Sequence, residues 1–272
     1  MPENLPGEIL SLQSVYYLDQ QSKKKVQNLS FRLLAGQVTI AFGPEGCGME
    51  LAVELCTGQA APDSGHVFFH GQQIDCTDQR KLEKIRSKIG FVAPMFSLIN
   101  NQSVFENIAL PLRYHTTMKN HQIIDQVEPL LKRYEMLHVA DARPQKLGRS
   151  ESLRAAYIRA IINRPEIVII HSAMDAQCPL ARERFLQLLK EDVRNYNFSV
   201  LIITYTPMFF YDPDFEFLLV YEGETKFHGN GIEMLNADNP WLHQYLHDPS
   251  HGPMRSFHSQ VKQEVKYETA KT

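Results

Sequence analysis

Gln37–Leu55, QVTIAFGPEGCGMELAVEL, decides the fold: a short apolar strand runs into a glycine-rich turn and then into an amphipathic helix. Val38, Ile40 and Phe42 read as a buried strand. Gly43, Gly46 and Gly48 are spaced as in the phosphate-cradling loop G-x-x-x-x-G-K-S/T, whose lysine reaches the terminal phosphates and whose hydroxyl holds magnesium. The loop remnant is Gly43, Pro44, Glu45, Gly46, Cys47 and Gly48, but the two chemical positions are Met49 and Glu50. A thioether has no charge and a carboxylate has the wrong sign. The stretch has the contour of a nucleotide loop without its charges.

Upstream, Ile9–Tyr17 alternates apolar and polar residues like a half-buried strand, and Val26–Leu34 repeats the pattern after the polar turn DQQSKKK. Lys23–Lys25 read as a solvated hairpin. Downstream, Val67–Phe69 is a strand between turn residues, Lys81–Lys88 a charged helical turn and Ile89–Val92 a strand. Ser103–Leu112 begins a helical region expected to continue through Gln122–Leu137, and Ser150 is the expected N-cap of a helix over Glu151–Asn163. The all-apolar strand Ile167–Ile170, a helix over Leu180–Tyr196, the strand Ser199–Thr204 and a hairpin at Phe217–Tyr221 and Thr225–His228 complete the pattern. Apolar strands alternating with helices predict an α/β domain with a mainly parallel sheet covered on both faces. The expected organisation is one domain over residues 1–251, with a helical insert at about 94–164, and a polar C-terminal tail over 252–272.

A chain of 272 residues with 43% hydrophobic and 22% charged content suffices for a sizeable core. A net charge of −3 gives no general attraction to nucleic acid, so no nucleic-acid partner is expected. The four cysteines, Cys47, Cys56, Cys76 and Cys178, show no C-x-x-C spacing and read as reduced, buried thiols. With no apolar run of ~18 residues and no basic-then-apolar N-terminus, the chain is expected in the cytoplasm.

In order and spacing, the loop at Gly43–Glu50, the ENIALPL helix, Ile167–Ile170 and the strand ending at Thr204 resemble the ATP-binding subunits of ABC transporters. VFENIALPLRYHT (Val104–Thr116) and the run HGNGIEMLNADNPWLHQYLHDPSHGP look like the Mce-type lipid-transport subfamily, the Mla-like systems of bacteria with two membranes. The resemblance implies a P-loop nucleotide-binding domain with an antiparallel β subdomain and a helical subdomain. It further implies docking on an integral-membrane permease at the cytoplasmic face of the inner membrane, and a homo- or heterodimer with another such subunit.

Carried over position by position, the family's functional residues are replaced. Pro94 stands at the glutamine that touches magnesium and the attacking water, and it has neither amide nor N–H. LGRSE (Leu147–Glu151) aligns with the signature L-S-G-G-Q, so Arg149 and Ser150 replace glycines and Glu151 the glutamine. His171 stands for the magnesium carboxylate, Ser172 for the catalytic glutamate, Tyr205 for the switch histidine and Cys178 for the aspartate of S-A-L-D. Tyr16 and Tyr17 are candidates for the adenine-stacking aromatic, though strict register puts Asp19 there.

Loss of the lysine forfeits charge-assisted hydrogen bonds of ~1.5–3 kcal/mol. A glutamate ~5 Å from a phosphate at an effective dielectric of ~20 adds ~3 kcal/mol of repulsion. The sum is on the order of three to four powers of ten in affinity. The expectation is therefore a pseudo-ATPase with no catalytic position retained, no metal site and no ATP or magnesium cofactor. A divergent but active ATPase that uses ATP and magnesium, and a cytosolic regulator with no permease, are the alternatives. Blander readings stand beside these: Glu45 and Glu50 as solvated carboxylates, with Glu50 favoured by the helix dipole, and Arg149, Arg154 and Arg159 as surface charges. Trp241, Leu242, Tyr245 and Leu246 form an apolar set at helical spacing, packing either on their own domain or on a sister subunit.

Overall fold

The structure, a computed structural model, describes residues 7–22 and 24–255. β1 (Glu8–Leu18) and β2 (Lys25–Leu34) form an antiparallel pair leading into β3 (Val38–Phe42) and α1 (Met49–Cys56). β4 (Ser64–Phe69), β5 (Gln72–Gln73), α2 (Gln79–Arg86) and β6 (Ile89–Val92) follow. The helical segment holds α3 (Val104–His115), α4 (Asn120–Arg133) and α5 (Arg149–Ile161). β7 (Ile167–His171), α6 (Pro179–Tyr196), β8 (Ser199–Thr204), β9 (Glu216–Tyr221), β10 (Glu224–Asn230), α7 (Gly231–Asn236) and α8 (Pro240–Leu246) complete the described chain.

The larger sheet has the order β10-β9-β3-β8-β7-β6, parallel throughout except for β10 at its edge. Successive strand side chains point to opposite faces, which divides the core in two. Ile40, Phe42, Val168, Ile170, Val200 and Ile202 join Ile108, Ala156 and Leu189 from the helices on one side. Ala41, Ile167, Ile169, Leu201 and Ile203 join Leu51 and Leu55 of α1 and the second sheet, β2-β1-β4-β5, on the other. Because both faces are buried, a one-residue slip would carry every strand side chain into the wrong core, and the register is fixed.

Local chemistry moves three of the expected boundaries. The helical region does not run to Leu137: α4 stops at Arg133, Glu135 turns to φ 57°, and a short 3-10 turn spans Leu137–Val139. Ser150 is not an N-cap. α5 starts at Arg149, and the cap is extended Gly148, whose N–H donates to the Glu151 carboxylate at 2.8 Å. A glutamate three residues past the cap satisfies an N–H that a serine inside the first turn cannot reach. The expected tail also starts late: Met254 exchanges two hydrogen bonds with the Gln244 amide, at 2.6 and 3.0 Å, and Arg255 N donates to the Tyr221 hydroxyl. The rest of that tail, 256–272, lies outside the described residues. All four cysteines are free, but only Cys47 and Cys56 are buried; Cys76 is half-buried and Cys178 exposed.

A polar cluster ties the helical segment to the sheet-side helices. Asp192 on α6 is fully buried and accepts from Arg133 Nε at 3.1 Å, Arg133 Nη2 at 2.7 Å, Tyr157 Oη at 3.2 Å and the Tyr134 hydroxyl. Burial and the adjacent carboxylate push the Tyr134 phenol well above its ordinary pKa, so it stays a donor.

Candidate functional site

The glycine-rich turn joins β3 to α1 and is held from outside. A Cβ on Gly43 would lie 2.1 Å from the Val220 carbonyl oxygen, and Gly48 sits at φ 105°, so neither position admits a side chain. Gly223, in the β9–β10 turn, donates its N–H to Cys47 O at 2.7 Å. Cys47 is 7% exposed, and burial pushes its thiol up to about 11, so it is an inert packing group.

The two positions after the glycines diverge. Met49 is 2% exposed and belongs to the core between α1 and the antiparallel sheet, where a thioether packs without cost and an ammonium would not. Glu50 faces the groove, with Lys24 Nζ 3.4 Å from its carboxylate. Glu50 is therefore ion-paired and Lys24 is not simply solvated. Lys23, the first of that run, lies outside the described residues. Glu45 and Gly46 are exposed at the tip, and Pro44 is half-buried.

Parallel pairing sets the ends of β7 and β8 beside this turn. His171 closes β7 and lines one groove with Glu50, Val53 and Phe91. Burial lowers its pKa, and Glu50 and Asp175 partly counter that, leaving it neutral at pH 7. Ser172 takes φ 50° and donates its N–H to Ile203 O at 2.8 Å. Asp175 accepts from the Thr204 hydroxyl and from Tyr205 N at 3.4 Å. Tyr205 is 45% exposed; burial raises its phenol, as do Glu50 and Glu45. The fold thus brings Glu50, His171 and Tyr205 into one electrostatic neighbourhood.

Pro94 lies on the exposed segment after β6. That segment is pinned by Arg159, which donates to Phe96 O at 2.9 Å and Ser97 O at 2.8 Å, and by buried Asn107, which accepts from Ile99 N at 2.7 Å. Arg154 donates to Tyr134 O at 2.8 Å. Arg154 and Arg159 are therefore anchors rather than the surface charges expected; of the three arginines only Arg149 is exposed. Arg149 begins α5, and its carbonyl accepts from Gln177 Nε2 at 3.3 Å. Glu151 is consumed by the helix cap and by His138 at 3.2 Å.

Two site residues escape a reading of sequence. Lys24 carries no signal within its lysine run. Tyr245 looks like one more apolar helix residue, but its hydroxyl lies 3.0 Å from both the Gly43 and the Tyr205 carbonyl oxygens, bridging the glycine turn and the end of β8. Its ring packs 5.3 Å from Phe42, and Leu242 is buried, so the set on α8 packs on its own domain. The polar tip of an otherwise apolar set was the available clue. Among the described residues, no group of three or more His, Cys, Asp or Glu side chains is placed to hold a metal ion.

A parallel sheet with a glycine turn between β3 and α1, an antiparallel subdomain and a helical segment defines a nucleotide-binding-cassette domain. The family model for ABC transporters matches residues 26–174, and the chain belongs to that family. It is similar to the methionine import ATP-binding protein MetN 2 of Bacillus cereus, at 30% identity over 72% of this chain and 57% of the relative. It thus spans little more than half the length of such relatives. The intermembrane phospholipid transport system ATP-binding protein MlaF of Haemophilus influenzae is 25% identical over 84% of this chain and 86% of that protein. Among solved structures, cbiO1 from Clostridium perfringens superposes with a TM-score of 0.74 at 21% identity, covering 84% of this chain and 91% of that one. The dimeric ATP-binding cassette MJ0796 bound to ADP and Pi gives 0.73 at 23%, covering 82% and 99%. These two share the fold. No helix among the described residues is long and apolar enough to cross a membrane.

Proposed function

We propose that this chain is a catalytically degenerate cassette subunit that acts by docking on a membrane permease rather than by turning over ATP. The observation that carries this reading is the start of α1: Met49 is buried in the core and Glu50 presents a carboxylate where a polyphosphate would sit. The Lys24–Glu50 pair, with side chains 45% and 30% exposed, offsets part of the repulsion but contributes only about 0–1 kcal/mol itself. Phosphoryl transfer depends on positioned charge, and Pro94, His171, Ser172 and Tyr205 include no carboxylate to hold magnesium or to act as the catalytic glutamate would. The residues therefore do not fit magnesium ATP.

A lipid-transport setting of the Mla type is supported by the similarity to MlaF, which extends over most of both chains. Docking is supported by the exposed apolar side chains of Tyr114 on α3, Phe91 on β6 and Met95 after β6. A divergent, active ATPase is the second reading, favoured by Lys24, which brings an ammonium to Glu50 from the connection between β1 and β2. Calorimetric titration with magnesium ATP separates them. The expected result is no saturable heat at physiological nucleotide concentrations; saturable binding, or phosphate release abolished by E50A or H171A, overturns the pseudo-ATPase reading.

A further inference from the structure

Two adjoining cavities, of about 270 and 260 Å³, open between the antiparallel sheet and β10, and Arg32 and His228 line both. Glu216 pairs with Thr39 near the start of β3, whereas the glycine turn follows Phe42, so this cleft and the turn lie at opposite ends of the parallel strands. Ser11 and Glu8 wall the first cavity, Glu216 and Glu233 the second.

Several polar groups here lack the partner their chemistry calls for. Ser11 is 3% exposed, and its hydroxyl has no hydrogen-bond partner among the described residues. Arg32 stands directly opposite Ser11 across the β1–β2 pair, so the two share one face of the sheet. Its exposed guanidinium makes no ion pair or side-chain hydrogen bond among the described residues. Burial and the Glu233 carboxylate hold Glu216 above its ordinary pKa, against the opposing pull of Arg32. Burial and Arg32 lower the pKa of His228, so the imidazole 3.7 Å from Glu216 is neutral at pH 7 and gives it no counter-charge.

Cationic and anionic groups therefore meet across one shared wall. A bare anion at Arg32 would face Glu8 and Glu216, and a bare cation at Glu216 would face Arg32, whereas a ligand carrying both charges close together answers each. Each cavity is smaller than the ~300 Å³ at which ordinary ligand pockets begin, which suits a small metabolite. We propose that this cleft binds a free α-amino acid, its carboxylate taken by Arg32 and Ser11 and its ammonium by Glu216 and Glu233. When Arg32 closes over the carboxylate, the Ser11 hydroxyl gains the acceptor it lacks. The site shares no residue with the groove of Glu50 and His171 and does not depend on the loss of nucleotide binding.

The test is calorimetric titration of the full chain with each common amino acid, and with acetate and methylammonium as the two half-ligands. The expected result is saturable binding of at least one amino acid and of neither half-ligand. R32A removes a charge-assisted fork and E216Q the opposing carboxylate, and each weakens binding about tenfold or more. S11A also weakens binding, yet without ligand it is no less stable than wild type, because the deleted hydroxyl bonds nothing. Thermal unfolding of the three variants without ligand verifies that they fold. The proposal is overturned if no amino acid saturates the chain below about 10 mM, if acetate binds as tightly as the amino acid, if R32A and E216Q bind like wild type, or if S11A alone is destabilising. Titration with magnesium ATP reads the pseudo-ATPase question separately.

Discussion

Replacing Asp192 with alanine is the sharpest test of how the helical segment is held. The carboxylate is fully buried and takes hydrogen bonds from Arg133, Tyr134 and Tyr157, joining α4 and α5 to α6. In D192A the Arg133 side chain, 29% exposed and also 3.1 Å from Glu191, swings to water and to that partner at small cost. The two phenols, 1% and 0% exposed, have no such escape. Each orphaned hydroxyl costs about 1–3 kcal/mol, and one is recovered in part if the two hydroxyls bond each other. With the cavity left by the side chain, the loss is about 3–5 kcal/mol, or on the order of 10 °C in Tm for a domain of this size. Urea and thermal unfolding of D192A read it directly. The triple variant D192L/Y134F/Y157F removes the orphaned donors with the acceptor and regains most of the loss. A D192A loss under about 1 kcal/mol, or a triple variant as unstable as D192A, would refute the claim that the cluster is a satisfied buried network.

Y245F keeps the ring against Phe42 and deletes the shared hydroxyl, so it lowers stability by about 1 kcal/mol, while Y245A, which also opens a cavity, costs about 3–5 kcal/mol; denaturant midpoints distinguish them. M49K/E50S returns the two lost loop groups at a cost in stability, because the ammonium must leave the core position that Met49 fills, and is expected to give weak nucleotide binding by calorimetry, with no phosphate release, because Pro94, His171 and Ser172 are unchanged. His171 has a folded pKa below its ordinary 6.5 because of burial, so the unfolded chain binds the extra proton. Stability is then full above pH 6.5 and falls as pH drops from there towards the folded value, and H171Q flattens that slope in thermal scans at stepped pH.

The order of elements was legible in the sequence because it follows from periodicity. All-apolar runs such as Ile167–Ile170 can sit only in a sheet buried on both faces, and glycines at 43 and 48 mark a turn whose neighbours leave no room for Cβ. The missing ammonium and hydroxyl at Met49 and Glu50 were equally legible, since residue chemistry at a fixed spacing needs no coordinates. Boundaries were less so: Gly148 rather than Ser150 caps α5 because the Glu151 carboxylate reaches back to it, a choice made by local geometry. Pairings between residues far apart in the chain belong to tertiary structure alone. Lys24 reaches Glu50, Arg159 reaches Phe96 and Tyr245 reaches Gly43 only once the sheets are assembled. A run of lysines or an apolar helix face encodes burial or solvation in general, and only packing selects which distant partner a polar tip will meet.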